Sequence, residues 1–197
     1  MPKIGAKPIR KAALINAAIK QVGKTGSLDV TVAQIAREAG MSPALAHHYF
    51  GSKNQIFLAA MRHILTIYRD EVRAALRQAD TPQSRLEAVI HASFSRPNFD
   101  RHTIAAWLNF YVLALTEAEA ARLLNVYRRR LRSNLMVGLV ALAPERASDL
   151  AETLGALIDG VYLRAALPVH PATRSDAISD ANAAERTVQD FLKDLLK

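Results

Sequence analysis

Residues 31–53 read TVAQIAREAGMSPALAHHYFGSK, and no other stretch restricts the fold as tightly. Val32, Ile35, Ala36 and Ala39 recur at i, i+3, i+4 and i+7, one face of a helix. Ala46 and Phe50, four apart, give a second short helix its inner side. Between them, Ala39-Gly40-Met41-Ser42 is a tight turn containing a glycine. Two short helices hinged this closely predict a helix-turn-helix: a supporting helix, then a helix free to enter a groove.

The rest of the chain is punctuated in the same way. Thr31-x-x-Gln34, Ser52-x-x-Gln55, Thr116-x-x-Glu119 and Thr173-x-x-Asp176 have the spacing of capping boxes. Ser42-Pro43 and Thr81-Pro82 pair an N-cap with proline at the first helical position, as Pro8 also suits a helix start. Gly26, Gly40 and Gly51 stand where helices stop. These marks predict about nine helices, over 8–24, 31–39, 42–49, 52–79, 82–96, 101–114, 117–142, 145–167 and 173–196. No alternating apolar pattern predicts a strand. The fold class is all-α, with three short helices as a small module on a larger helical body.

Charge singles out the same end. The chain carries a net +8 over 197 residues. Residues 1–53 hold Lys3, Lys7, Arg10, Lys11, Lys20, Lys24, Arg37 and Lys53 against Asp29 and Glu38, leaving the other residues nearly neutral. A basic end on a neutral body points to a polyanion, or to no more than a solubilising face. There is no cysteine, which excludes a disulfide scaffold, a thiolate zinc site and a cysteine nucleophile. The N-terminus lacks the apolar core of a secretory signal, and SNLMVGLVALAP is too short to span a bilayer. The expectation is a soluble cytoplasmic protein without a membrane partner.

On the second short helix, Pro43, Ala44, Leu45, His47, His48 and Tyr49 are left facing outward. Small and apolar groups at its start suit base edges and thymine methyls. His47, His48 and Tyr49 suit phosphate oxygens, as does Lys53 in the next helix's first turn, beside amides that favour anions. Thr31, Gln34 and Ser42, at the helix starts, complete the candidate DNA-facing set. Tyr49 and one histidine have the alternative of packing on the body. His47 and His48 diverge by about 100° on a helix, so they do not predict a metal site.

Trp107, Phe110 and Tyr111 share a face at i, i+3 and i+4. They serve either as core or as an aromatic box for an organic cation, held by π-faces and a carboxylate. Asp159 and Tyr162, three apart on a later helix, supply both. Asp159 lies in an apolar segment and needs a partner, which is open between a ligand cation and an arginine such as Arg164 or Arg130. YRRRLR, residues 127–132, reads as the solvated face of a long helix whose inner side is Leu123, Leu124, Leu131 and Leu135. The last two helices carry more apolar surface than one chain covers: Leu150, Leu154, Ile158 and Val161 in one, Ala184, Val188, Phe191 and Leu195 in the other. Gly155 and Gly160 would permit close approach there. A two-fold four-helix interface in a homodimer answers this. Two recognition helices would then prefer a near-palindromic double-stranded DNA site.

The segment RKAALINAAIKQVGKTGSLDVTVAQIAREAGMSPALAHHYFGSKNQIF, residues 10–57, resembles the N-terminal domain of TetR-family transcriptional regulators. The matching features are Ile-Ala and Ala-Gly in the supporting helix, the serine after the turn, the Tyr-Phe pair and the lysine three residues on. Ala46 stands where leucine is frequent and His47 where tyrosine is. The resemblance implies a DNA-binding domain over 1–51 and a helical effector-binding and dimerisation domain over 52–197. HYFGSK, AAWLNFYV, RRRLRSNL and GALIDGVYLRAAL are together similar to choline-responsive repressors of that family. This implies a homodimeric repressor of choline-to-glycine-betaine synthesis genes with choline as inducer. The alternative is a regulator with a broader cationic or hydrophobic ligand pocket controlling other genes, such as efflux.

An enzyme is not expected. GKTGS, residues 23–27, lacks the first glycine of a phosphate loop and follows no strand. His91 and His102 are isolated, and no carboxylates converge. No cofactor is implied.

Overall fold

The computed structural model describes residues 6–166 and 177–196. Among them are nine α-helices and no strand: α1 (Ala6–Thr25), α2 (Val32–Glu38), α3 (Pro43–Phe50), α4 (Lys53–Leu76), α5 (Pro82–Ser93), α6 (Arg101–Leu113), α7 (Ala118–Leu142), α8 (Ala147–Ala166) and α9 (Ala177–Leu195). A single 3₁₀ turn, Pro144–Arg146, precedes α8.

Local chemistry sets most of the boundaries. Thr31 caps α2 in a full box, its hydroxyl accepting from the Gln34 amide while the Gln34 side chain accepts from the Thr31 amide. Thr81 does the same for α5, with Ser84 in the role usually taken by Glu or Gln. Ser52 forms only half a box. Its hydroxyl takes the Gln55 amide, but its own amide already donates to the Phe50 carbonyl.

The box expected at Thr116 does not form. Glu117 is the N-cap of α7, without a side-chain cap bond. The acidic side chains of this turn are drawn to α4 instead: Glu117 accepts from Asn54 and Glu119 pairs with Arg62. The Thr173–Asp176 box, like Lys3, lies outside the described residues. α5 ends at Ser93 rather than 96, and residues 94–99 fold into tight turns closed by Asn98 and Phe99 amides on the Ser95 carbonyl.

The buried residues form one continuous core running from Leu14 and Val22 in α1 through Ile35, Phe57 and Ile64 to Leu135, Leu154 and Val188. In the body, α7 lies against α5 and α8, and α9 covers α5 and α8. The α5–α7 contact is close. A Cβ on Gly138 would stand 2.7 Å from both Leu86 Cγ and the Pro82 carbonyl oxygen. Within one chain Gly155 and Gly160 are under no such pressure. α1 spans the joint, packing on α2 at the head and on α4 and α6 in the body. Leu163 and Phe191, on α8 and α9, stay 49% and 36% exposed, so the last two helices keep an uncovered apolar side. No described helix is long and apolar enough to cross a membrane.

Candidate DNA-facing head and aromatic cavity

In the head, the turn between α2 and α3 closes through Gly40 at φ 66° and a bond from the Met41 amide to the Ala36 carbonyl. That positive φ is what a glycine supplies there. Ser42 then caps α3, accepting from the Leu45 amide at 3.3 Å. Ser42, Pro43, Ala44, His47 and His48 are exposed, Leu45 and Tyr49 half-buried, and Ala46 fully buried. Thr31 and Gln34 are exposed at the start of α2 and bonded to each other.

Several of these side chains have internal partners. His47 Nδ1 lies 3.2 Å from the Gly51 carbonyl oxygen, closing the end of α3. Arg10 donates to the Tyr49 hydroxyl at 3.5 Å. Lys53 donates from Nζ to the Leu28 carbonyl at 3.2 Å and lies 6.0 Å from the Phe57 ring centre. It therefore ties the first turn of α4 to the loop after α1. Lys20 and Lys24 converge on Glu38, at 2.5 and 2.8 Å. Hydrogen bonds from these two lysines hold the Glu38 carboxyl down at about 2.

The second constellation lies inside the body. Tyr68 of α4, Ser93 of α5, Asn98 of the following turn, Trp107 and Tyr111 of α6, Tyr127 of α7, and Asp159 and Tyr162 of α8 line one cavity. Trp107 and Tyr127 approach to 4.8 Å between ring centres, Trp107 and Tyr111 to 6.2 Å, and Tyr68 and Tyr127 to 5.8 Å edge-on. The Tyr127 hydroxyl donates to Asp159 Oδ1 at 3.1 Å. The Tyr162 hydroxyl reaches the carbonyls of Ser93 at 2.6 Å and Asn98 at 3.0 Å.

Asp159 is the one carboxylate of this cavity, and no ion pair forms on it among the described residues. Arg130 and Arg164, the arginine partners expected from sequence, are both exposed. The Tyr127 hydroxyl is its hydrogen-bond donor instead, with the Tyr111 hydroxyl in the same wall. Burial raises its pKa, against the pull of those two hydroxyls and of Arg128. Burial also raises the phenols: Tyr68 to about 12, with Tyr111, Tyr127 and Tyr162 higher than usual as well. The walls are thus neutral aromatic rings around one acid.

Trp107, Tyr111, Asp159 and Tyr162 meet here as the sequence predicts. Phe110 does not line the cavity. It is 2% exposed and packs edge-on behind Trp107, 6.3 Å between centres. Four wall residues were not foreseen. Tyr127 shares the buried stripe of Leu124 and Leu131, and Tyr68 that of Ile64 and Val72, so their spacing carried the signal. Ser93 and Asn98 carried none. In YRRRLR, Arg128, Arg129 and Arg130 are solvated as expected, while Tyr127 turns inward.

The free space inside is about 10 Å³, so the walls are closed on one another. A wider cleft, about 240 Å³, opens at the seam of α1, α4 and α6, between residues such as Lys20, His63, Asp100 and His102. It has no aromatic ring other than imidazole, whereas the aromatic rings and the half-buried carboxylate stand together in the smaller cavity. α6 joins the two regions. His102 at its start lies against Gly23 of α1, and Asn109 donates to the Gly26 carbonyl at 3.2 Å. No cluster of metal-binding side chains occurs among the described residues.

Residues 14–60 match the family described as bacterial regulatory proteins, tetR family. Residues 82–197 match the family described as BetI-type transcriptional repressor, C-terminal. The chain is 52% identical over 180 residues to the HTH-type transcriptional regulator BetI of Brucella anthropi, covering 91% of this chain and 93% of that one. It is 50% identical to the regulator of the same name from Rhizobium meliloti, covering 87% and 85%. Among solved structures it is similar to a transcriptional regulator from Saccharomonospora viridis in complex with choline. That likeness has a TM-score of 0.77 at 21% identity, over 93% of this chain and 95% of that one. A regulator from Pseudomonas aeruginosa PAO1 superposes with a TM-score of 0.71 at 25% identity, over 96% and 91%.

Proposed function

Because the chain belongs to the TetR family of bacterial transcriptional regulators and carries the BetI-type C-terminal domain, we propose that it acts as a homodimer on a near-palindromic operator and releases DNA when choline enters the aromatic cavity. It is a DNA-binding transcriptional repressor and not an enzyme. Residues 1–51 are the DNA-binding domain and 52–197 the effector and dimer domain. Thr31, Gln34, Ser42, Pro43, Ala44, Leu45, His47, His48, Tyr49 and Lys53 form the DNA-facing set. The protein works in the cytoplasm on genes of glycine betaine synthesis. α8 and α9 pair across the two-fold axis, covering Leu163 and Phe191.

The observation that carries the ligand reading is Asp159, a half-buried acid in no ion pair among the described residues, lining the cavity with Trp107, Tyr111, Tyr127, Tyr68 and Tyr162. A quaternary ammonium has no N–H to donate. It is held by aromatic faces and a counter-charge, which these residues supply. The relative solved with choline supports the same ligand class.

Mechanism follows from the closed walls. About 10 Å³ holds roughly one water, so a quaternary ammonium must displace the aromatic side chains of the wall and, with them, the helices that carry them. The ligand therefore binds an opened body better than a closed one, the differential affinity that shifts a population. α6 lines the cavity with Trp107 and Tyr111 and grips α1 with His102 and Asn109. Displacing it alters how each head sits on the body, and so the spacing of the two α3 helices.

Trp107 is the single tryptophan and reports on the cavity directly. The test is fluorescence titration with choline, run beside anisotropy of a labelled duplex that the protein has selected from random sequence. A saturable change with choline, absent with sodium chloride, should accompany DNA release. Intact DNA binding with neither response at millimolar choline would defeat the choline assignment. Equal responses to unrelated organic cations would point to a broad-specificity sensor.

A further inference from the structure

We propose that Asn98, through its side-chain oxygen, selects a cation that carries a hydroxyl. This rests on the reading of the aromatic cavity as an organic-cation site. Asn98 is 1% exposed and stands in the wall that separates this cavity, beside Ser93 and Tyr162, from the wider cleft of α1, α4 and α6. Its amide can point only one way. Nδ2 donates to the Ala92 carbonyl at 2.8 Å and to Ser95 Oγ at 3.1 Å. Exchanging the two ends would set Oδ1 against the Ala92 carbonyl, acceptor to acceptor. Oδ1 is thus the free end, and it is buried without a hydrogen-bond partner.

The backbone of Asn98 is fixed as well. Its amide donates to the Ser95 carbonyl at 2.9 Å, and its carbonyl accepts from the Tyr162 hydroxyl at 3.0 Å. Oδ1 is therefore a rigid, desolvated acceptor, the type of group that favours a donor strongly and penalises its loss.

Three hydroxyls of the cavity already donate elsewhere. Tyr127 donates to Asp159, Tyr162 donates to backbone carbonyls, and Ser93 Oγ donates to the Val89 carbonyl. Asp159 supplies the counter-charge for an ammonium. Asn98 Oδ1 is the buried acceptor that has no donor, and it is open to a proton on the ligand's tail. A hydroxyalkyl trimethylammonium donates there. An aldehyde or carboxylate in the same place presents only acceptors to Oδ1 and is disfavoured. The cavity thereby reads the alcohol and rejects its oxidised derivatives.

The test compares choline with n-propyltrimethylammonium, in which a methyl replaces the hydroxyl at nearly the same shape and charge. Affinities are measured on the full chain by Trp107 fluorescence and calorimetry, with glycine betaine alongside. Choline should bind roughly 10- to 100-fold tighter than the propyl analogue. In Asn98→Ala that preference should collapse, with affinity for the propyl analogue kept within a few fold. Asn98→Ser keeps a donor near the Ala92 carbonyl while withdrawing the acceptor, and serves if the alanine variant does not fold. Equal wild-type affinities for the two cations overturn the role of Asn98 and leave the cation cavity standing. A preference that survives both substitutions also overturns it, since another group then reads the hydroxyl. Failure of both cations to bind removes the cation reading itself, and this inference with it.

Discussion

Gly23 on α1 and His102 on α6 pack so closely that no side chain fits between them. A Cβ on Gly23 would stand 2.2 Å from His102 Nδ1. Here the helix of the DNA-binding head meets the helix that lines the cavity. His102 Nδ1 is buried there without a hydrogen-bond partner, so the contact is held by shape alone.

Gly23→Ala should therefore destabilise the fold although alanine is the better helix former. Overpacking costs about 1–3 kcal/mol, more than the roughly 0.5–1 kcal/mol gained by losing a mid-helix glycine. Shortening the obstacle with His102→Ala in the same chain should restore only part of the loss, because the Cα and Cβ of residue 102 would still stand 2.7 Å from the new Cβ. Thermal melts of the two single variants and the double variant measure the coupling. Additive effects would show that the two residues do not press on each other.

Asp159→Asn should abolish tight choline binding, at least tenfold, and leave DNA binding in the absence of ligand intact. The same carboxylate carries a pH signature. Its folded pKa is raised above the ordinary 3.8, so its stabilising contribution is full below that value and is lost as pH rises through the folded pKa. At neutral pH the ionised acid burdens the unliganded fold. Asp159→Asn should then melt higher than wild type without ligand, yet gain nothing from choline. Choline affinity of the wild type should fall as pH drops into the acid range where Asp159 takes up its proton. Fluorescence titrations across pH 4–7 read this, and an unchanged affinity would separate Asp159 from the bound cation.

Glu38 works in the opposite sense. Lys20 and Lys24 hold its carboxyl at about 2, below the ordinary 4.5. Its contribution is present above 4.5 and is lost as pH falls toward 2. Glu38→Gln should lower the melting temperature at pH 7, and the gap to wild type should narrow through that window. High salt should narrow it too, because the pairing lies at the surface. A gap independent of pH would mean that Glu38 acts by packing or by its bond from Gln21 instead.

The head was largely legible because its information is local. Thr31 with Gln34, Gly40, and Ser42 with Pro43 each set a boundary through atoms a few residues apart, and the structure realises all three. The Thr116 box failed because Asn54 and Arg62, more than fifty residues away, claim the acidic side chains of that turn. The cavity divides along the same line. Trp107, Tyr111, Asp159 and Tyr162 announce themselves as aromatic and acidic groups on short spacings. Tyr68 and Tyr127 hide among leucine-type positions, where spacing marks a residue as buried and cannot say against what. Asn98 enters the wall through a turn closed on Ser95, which no periodicity encodes. Phe110 shows the converse, since it shares a face with Trp107 yet is turned into packing.

Lys53 has an internal partner that its position in the sequence did not suggest, and this changes how its role must be tested. Nζ donates to the Leu28 carbonyl and sits over Phe57, so Lys53→Ala removes a structural tie along with a charge. Lys53→Met keeps the alkyl packing and deletes the charge alone. Arg10, which reaches the Tyr49 hydroxyl beside α3, is the comparison. Deleting one side chain that neutralises a phosphate should reduce the slope of log affinity against log salt by about 1, with affinity falling evenly across DNA sequences. Arg10→Ala should do this with little change in melting temperature. If Lys53 also meets phosphate, Lys53→Met should match it. An unchanged slope in Lys53→Met, together with a lowered melting temperature, would make Lys53 a brace for α4 rather than a DNA contact. The even fall matters as much as the slope, because a shift in sequence preference would place either side chain on a base edge instead of the backbone.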